Sequence, residues 1–279
     1  MEAVINMYNK EDQISLELQQ AQREAEILEQ VNARVRRKTS WVLLFISFMC
    51  LVLVTFAWFT ISTLANVEKL EMKIGTAPDL RISTENHGSN FDAYVKTVTS
   101  RMIDKELTDR FNTTMNDQVL DPVTTSNGQR FYSQGGTEKE RNKNTFLEFD
   151  LYLIATKDLP VHLTTSEDGN IGGTEVSTTE TGGKANVVKA VRFSFTNEEG
   201  KTVIWEPNKG TAVANQNTFD LSKPMVYSDA NKICDLKQLV PQKVTVRIWF
   251  EGEDPECINN IQEATMEAAL TFGGNGQPS

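Results

Sequence analysis

TFLEFDLYLIA, residues 145–155, decides the fold. Leu147, Phe149, Leu151 and Leu153 occupy every second position, and Glu148, Asp150 and Tyr152 fill the positions between. Successive side chains of a β-strand point to opposite faces, so this alternation predicts a strand with one face in a core and the other toward water. KVTVRIWF (243–250) repeats it with Val244, Val246, Ile248 and Phe250, and TMEAALTF (265–272) with Met266, Ala268, Leu270 and Phe272. In VVKAVRFSF (187–195), Val187, Val191, Phe193 and Phe195 share a face, with Lys189 interrupting at one end. Asn197-Glu198-Glu199-Gly200 then suits a hairpin turn into Val203. Several half-buried strands of this kind predict a mainly β domain over residues 66–279, a β-sandwich or jelly roll. Residues 91–120 break the pattern: Tyr94, Val95, Val98, Met102 and Leu107 fall near helical spacing, which predicts a partly helical insertion. Residues 164–186, rich in Thr, Gly, Ser and Glu, are expected to form an exposed loop.

Upstream, WVLLFISFMCLVLVTFAWFTISTLA (41–65) contains no charged residue. As a helix rising ~1.5 Å per residue it reaches ~37 Å, enough to cross ~30 Å of hydrocarbon. Arg34, Arg36, Arg37 and Lys38 precede it with no comparable positive cluster after it, which predicts a cytoplasmic N-terminus and an exterior C-terminal domain. The expected topology is therefore a single-pass protein of the cell membrane, with 1–40 inside, 41–65 as a transmembrane helix or uncleaved signal anchor, and 66–279 outside. Small residues make Ala57 and Ala65 candidate cleavage points, and cutting there would release a secreted domain.

Within 1–40, residues 10–38 read as one amphipathic helix. Ile14, Leu18, Ala21, Ala25, Leu28, Asn32 and Val35 follow the four–three spacing of a coiled-coil seam. Self-association, docking of a helical partner, or a solvated charged helix all suit that pattern.

With 28 basic and 38 acidic residues the chain carries a formal charge of −10, which disfavours nucleic acid as a partner. Phosphate-loop, nucleophile-elbow, dinucleotide and HExxH motifs are absent, so neither a catalytic centre nor a cofactor is expected. His87 and His162 lack a second histidine at ligand spacing. The acidic run Glu251-Gly252-Glu253-Asp254-Pro255-Glu256 offers weak cation ligands in Glu251, Glu253, Asp254 and Glu256, although a solvated turn after a strand has the same composition. Trp205 and Trp249 could form a carbohydrate platform or simply pack within the sandwich. Cys234 and Cys257 are the only cysteines in the exterior portion and suit a disulfide in an oxidising compartment, worth roughly 3 kcal/mol; two free buried thiols are the alternative.

Two passages resemble a known family. TFAWFTISTLANVEKLEMKIGTAPDLRIS (55–83), with Ala57-Trp58-Phe59-Thr60 and Gly75-Thr76-Ala77-Pro78-Asp79-Leu80, resembles the N-terminal segment of Gram-positive surface proteins processed by the SipW-type signal peptidase. VTVRIWFEGEDPECINNI (244–261) resembles a strand and loop of related clostridial-type surface proteins. The chain is similar in these passages to the TasA/camelysin family. That resemblance implies an exterior jelly roll and polymerisation into biofilm-matrix fibres, in which a freed N-terminal strand pairs into a neighbouring subunit. It also implies that 67–83, if the anchor is retained, stay tethered and hinder such assembly. The expected role is thus a non-enzymatic bacterial surface structural or adhesive protein. Its partners would be copies of itself, a matrix or cell-wall component and the membrane. A membrane-anchored exterior binding module coupled to a cytoplasmic partner through 1–40 is the alternative, and a metal-dependent surface hydrolase ranks last.

Overall fold

A computed structural model describes residues 44–49, 65–75, 77, 79–142, 144–165, 173–207, 218–221, 225–257 and 261–274. The chain divides into two compact units, Met1–Ile61 and Ser62–Ser279. In the first, residues 44–49 are helical, with Leu44, Phe45, Ile46 and Phe48 exposed. No helix among the described residues is long and apolar enough to cross a membrane. The expected span at 41–65, apart from 44–49 and Ala65, lies outside the described residues, as do Ala57 and the expected helix at 10–38.

The second unit is mainly β and is built from two mixed sheets. Its elements are β1 (Ala65–Ile74), β2 (Leu80–Ser83), β3 (Thr97–Val98), α1 (Ser100–Phe111), β4 (Phe131–Tyr132), β5 (Glu138–Lys139), β6 (Leu147–Ala155) and β7 (Leu159–Leu163). They continue with β8 (Glu175–Ser177), α2 (Val187–Ala190), β9 (Val191–Asn197), β10 (Thr202–Trp205), β11 (Thr218–Phe219), β12 (Cys234–Leu236), β13 (Gln242–Phe250) and β14 (Ala264–Gly274). One sheet runs β12-β7-β14-β1-β3, with β8 also on β14; the other runs β11-β10-β9-β13-β6-β2. Both sheets contribute to one apolar core, and Phe195 of β9 meets Phe272 of β14 edge to face across it at 6.0 Å.

The alternating segments behave as their spacing predicts. β6 and β13 pair antiparallel, with Phe149 opposite Val246 and Leu151 opposite Val244. Leu147, Phe149, Leu151, Leu153, Val244, Val246, Ile248 and Phe250 are all buried, and Glu148, Asp150 and Tyr152 lie half-buried on the other face. The turn at Asn197–Gly200 also forms: Gly200 takes a φ of +81°, and its N–H donates to the Asn197 carbonyl at 3.0 Å.

Three segments depart from expectation. Residues 187–190 form α2 rather than the start of a strand, so Val187 reaches the core from a helix. The helix in 91–120 begins only at Ser100 and buries Ile103, Glu106 and Leu107; Tyr94 and Val98 are buried from extended backbone before it. Within 164–186, β8 pairs with β14 and Thr164 and Thr165 are buried, so this stretch is not wholly an exposed loop. The outer face of the β6-containing sheet is also partly covered. Val123, Phe131 and Phe146 pack with Ile204 and Trp249 in a second apolar cluster, where Phe131 stacks on Phe146 at 4.1 Å.

Candidate functional site

The acidic run proposed to hold a cation is folded around an internal one. Arg192, fully buried on β9, directs Nη2 at Glu206 Oε1 (2.9 Å) and at the Asp254 carboxylate, while Nη1 donates to the Lys189 (2.6 Å) and Val191 (2.9 Å) carbonyls. Asp254 Oδ1 accepts the Glu256 N–H at 2.9 Å. Glu251 turns in the other direction, accepting from Trp249 Nε1 at 3.1 Å and from the Glu253 N–H at 3.3 Å. Burial pushes its carboxyl above the usual carboxylate range, against the pull of those bonds. Glu253 stays exposed, and the Glu256 carboxylate lies 3.9 Å from Lys189 Nζ. Glu251 and Asp254 thus spend their oxygens on the protein's own groups. Among the described residues no group of three or more His, Cys, Asp or Glu side chains is arranged to hold a metal ion.

The expected disulfide is not made: Cys234 and Cys257 are both free and buried. Cys234 starts β12 and borders a cleft with Gln242 and Asn197, at one end of β13. Cys257 follows the other end, its N–H bonded to the Asp254 carbonyl. At ~3.3 Å per residue β13 holds its ends more than ~20 Å apart, whereas a bridge needs Cα atoms within ~7 Å. Burial raises both thiols, Cys257 up to about 12, so neither is a nucleophile. In the native protein iodoacetamide should leave both unmodified, and in urea without reductant it should modify both, as read by peptide mass spectrometry. Protection that persists in urea would restore the bridge.

His87, His162, Trp205 and Trp249 serve packing. His87 Nε2 meets Ser83 Oγ at 3.2 Å, and buried His162 places Nε2 3.3 Å from the Ser228 carbonyl. Trp205 stacks on Phe193 at 4.8 Å inside the core, and Trp249 is fully buried; neither offers a surface platform.

A polar cluster that motif reading does not detect covers the outer face of β6. β2 pairs with β6 only from Ala155 to Tyr152, leaving the Asp150 N–H beyond the last pair. α1 fills that place: Glu106 Oε1 accepts this N–H at 3.2 Å and also Arg110 Nη1 at 2.5 Å. Arg110 reaches Asp150 Oδ2 at 3.2 Å and Glu148 Oε1 at 3.8 Å. Thr245 donates to Asp150 Oδ1 (2.7 Å), and Arg247 Nε donates to Glu148 Oε2 (2.7 Å). Burial lifts the Glu106 carboxyl above its ordinary range although Arg110 opposes the shift. Beside this cluster lies a 230 Å³ cleft, with Glu106, Arg110, Asp150 and Tyr152 lining it from α1 and β6 and Thr84, Glu85 and Asp109 completing it. The one local signal for the cluster was the Glu106–Arg110 spacing of four residues, an ordinary helix pair.

The other candidate is the seat of β1. This first strand lies between β14 and β3, parallel to β14 from Ala65↔Ala264 to Ile74↔Phe272. Glu68 is extra, a bulge between Val67 and Lys69, so the inward residues shift from Ala65 and Val67 to Leu70 and Met72. Ser100 at the start of α1 fastens the strand, its Oγ accepting the Leu70 N–H (3.1 Å) and donating to the Leu70 carbonyl (2.9 Å). Ala65, a candidate cleavage point, exchanges backbone hydrogen bonds with Leu120 and is buried, so cutting after it requires an unfolded strand. Models of known protein families do not match the chain, and neither does any curated protein compared with it.

Proposed function

We propose that the chain is a single-pass bacterial surface protein of structural or adhesive type. In this reading its exterior domain, a jelly-roll-like sandwich, assembles with copies of itself by exchanging β1 once the span has been cut away. One observation carries the reading: the first strand of the domain occupies an interior place in its sheet, so withdrawing it opens a full-length slot beside β14. An open strand edge of that length is a template for the β1 of another copy. The likeness of residues 55–83 to family segments supports the same reading.

Lys69 and Glu267 are partners in the β1–β14 register, with side-chain charges 3.6 Å apart and both exposed. Lys69→Cys and Glu267→Cys, made separately with Cys50→Ser in each, give a direct test. After the two proteins are mixed and treated with a short bis-maleimide, exchange predicts covalent dimers, and the doubly substituted chain predicts an internal link. An internal link without dimers under every assembly condition would remove strand exchange. The alternative, an exterior binding module, is favoured by a different observation, the cleft between α1 and β6.

A further inference from the structure

We propose that residues 225–231 form a latch over β7 that opens in mild acid, released by protonation of His162. The inference does not rest on strand exchange. Val161 and Leu163 of β7 enter the main core, so His162 between them points out of the other face of the sheet. It is nonetheless only 3% exposed. Tyr227 meets its ring edge to face at 5.0 Å, and the Ser228 carbonyl stands 3.3 Å from Nε2. Asn231 ties the covering segment to itself: its Oδ1 accepts the Ser228 N–H (2.9 Å) and its Nδ2 donates to the Val226 carbonyl (2.8 Å). From the turn between β9 and β10, Lys201 Nζ donates to the Asp229 carbonyl at 2.7 Å.

These bonds fix which nitrogen carries the proton. A carbonyl only accepts, so the Nε2 facing it is protonated and Nδ1 of the neutral ring is bare. Nδ1 is buried, and no protein group bonds it. A proton added there places a charge and an unpaired donor in the closed site, whereas water solvates both once the segment lifts. Burial accordingly holds the ring below the ordinary histidine range, against the pull of the Ser228 bond. The charged groups around the ring oppose one another: Lys232 and Lys201 repel an imidazolium, and Asp235 of β12 and Asp229 attract it. Lys232 is itself 2.7 Å from each of these acids. β14 places only Gly273 opposite His162. Lys232 is pushed up to about 12 by Asp229 and Asp235, and Asp229 is held below the usual carboxylate range by Lys232, so both stay charged in mild acid. His162 is the group that changes.

The closed ring takes a proton only below its ordinary range, whereas the ring opened to water titrates near its usual value of about 6.5. Acid therefore favours the open segment, and the latch weakens as pH falls through about 6.5 toward the depressed value. Between roughly pH 7.5 and 5 the open fraction rises by up to about 30-fold.

Hydrogen exchange with mass spectrometry on the full-length protein in detergent reads this opening, once exchange times are scaled for the intrinsic effect of pH. Peptides of residues 225–232 should exchange at least about fivefold faster near pH 5 than near pH 7.5, while those of β6 and β13 keep their rates. His162→Phe keeps a ring against Tyr227 but takes no proton, so its rates at the two pH values should agree within about twofold. A native ratio below about twofold, or a variant that retains the native ratio, would overturn the latch. Histidine Cε1–H NMR of the native protein decides the matter if His162→Phe fails to fold. The His162 resonance, assigned with His87→Asn, should titrate below about 6.5, and a midpoint at or above that value overturns the proposal.

Discussion

Arg192→Leu should lower the free energy of unfolding by about 3–5 kcal/mol at neutral pH. The guanidinium is fully buried and faces two buried carboxylates, Glu206 and Asp254. Leucine fills part of the space and takes the guanidinium away from both acids, and removing one partner of a buried ion pair is strongly destabilising. Acid supplies the protons that neutralise stranded carboxylates, so the deficit relative to the native protein should shrink as pH falls from 7 toward 4. Adding Glu206→Gln and Asp254→Asn to Arg192→Leu should recover part of the loss by removing the charges themselves. Urea unfolding followed by fluorescence suits the measurement, because Trp205 and Trp249 are both buried. A loss below about 1 kcal/mol would mean that the loop after β13 holds its shape without the arginine.

The second large effect concerns Leu70. It is fully buried at the middle of β1 and paired in register with Ala268 of β14. Leu70→Ala should cost about 2–5 kcal/mol, and for a domain of this size that is roughly 4–20 °C in Tm. Leu70→Asp goes further, because an unpaired carboxylate cannot stay in that core and β1 must leave its seat. The variant should then expose the edge of β14, self-associate on gel filtration, and gain thermal stability from an added peptide of residues 65–75. A soluble monomer melting within a few degrees of the native protein would show that β1 contributes little to the stability of the domain.

Much of the β domain is legible in the sequence because β6, β13 and β14 each keep a two-residue period against one buried face. β1 escapes that reading for a definite reason. The bulge at Glu68 changes which residues face inward, and a period of two cannot survive an inserted residue. Trp249 points away from the main core and reads as a solvent-facing position, yet Phe131 and Phe146, distant in sequence, cover it. The acidic run reads as a cation loop only while its partner is hidden: Arg192 stands 62 positions from Asp254. The cleft joins Glu106 and Asp150, 44 positions apart, and neither carries a local signal. Short-range spacing reports which face a residue takes, whereas the meeting of particular charges depends on topology.

The parallel pairing of β1 with β14 has a mechanical consequence. A load applied between Ala65 and Gly274 draws β1 from its leading end and β14 from its trailing end, and in parallel neighbours these ends lie at opposite extremes of the shared ladder. The two strands are therefore pulled past one another along their length. Their hydrogen bonds bear the force together, in shear, whereas an antiparallel pair gripped at adjacent ends opens one bond at a time. A domain held through its first strand and pulled through its last would resist tension along the whole of that ladder.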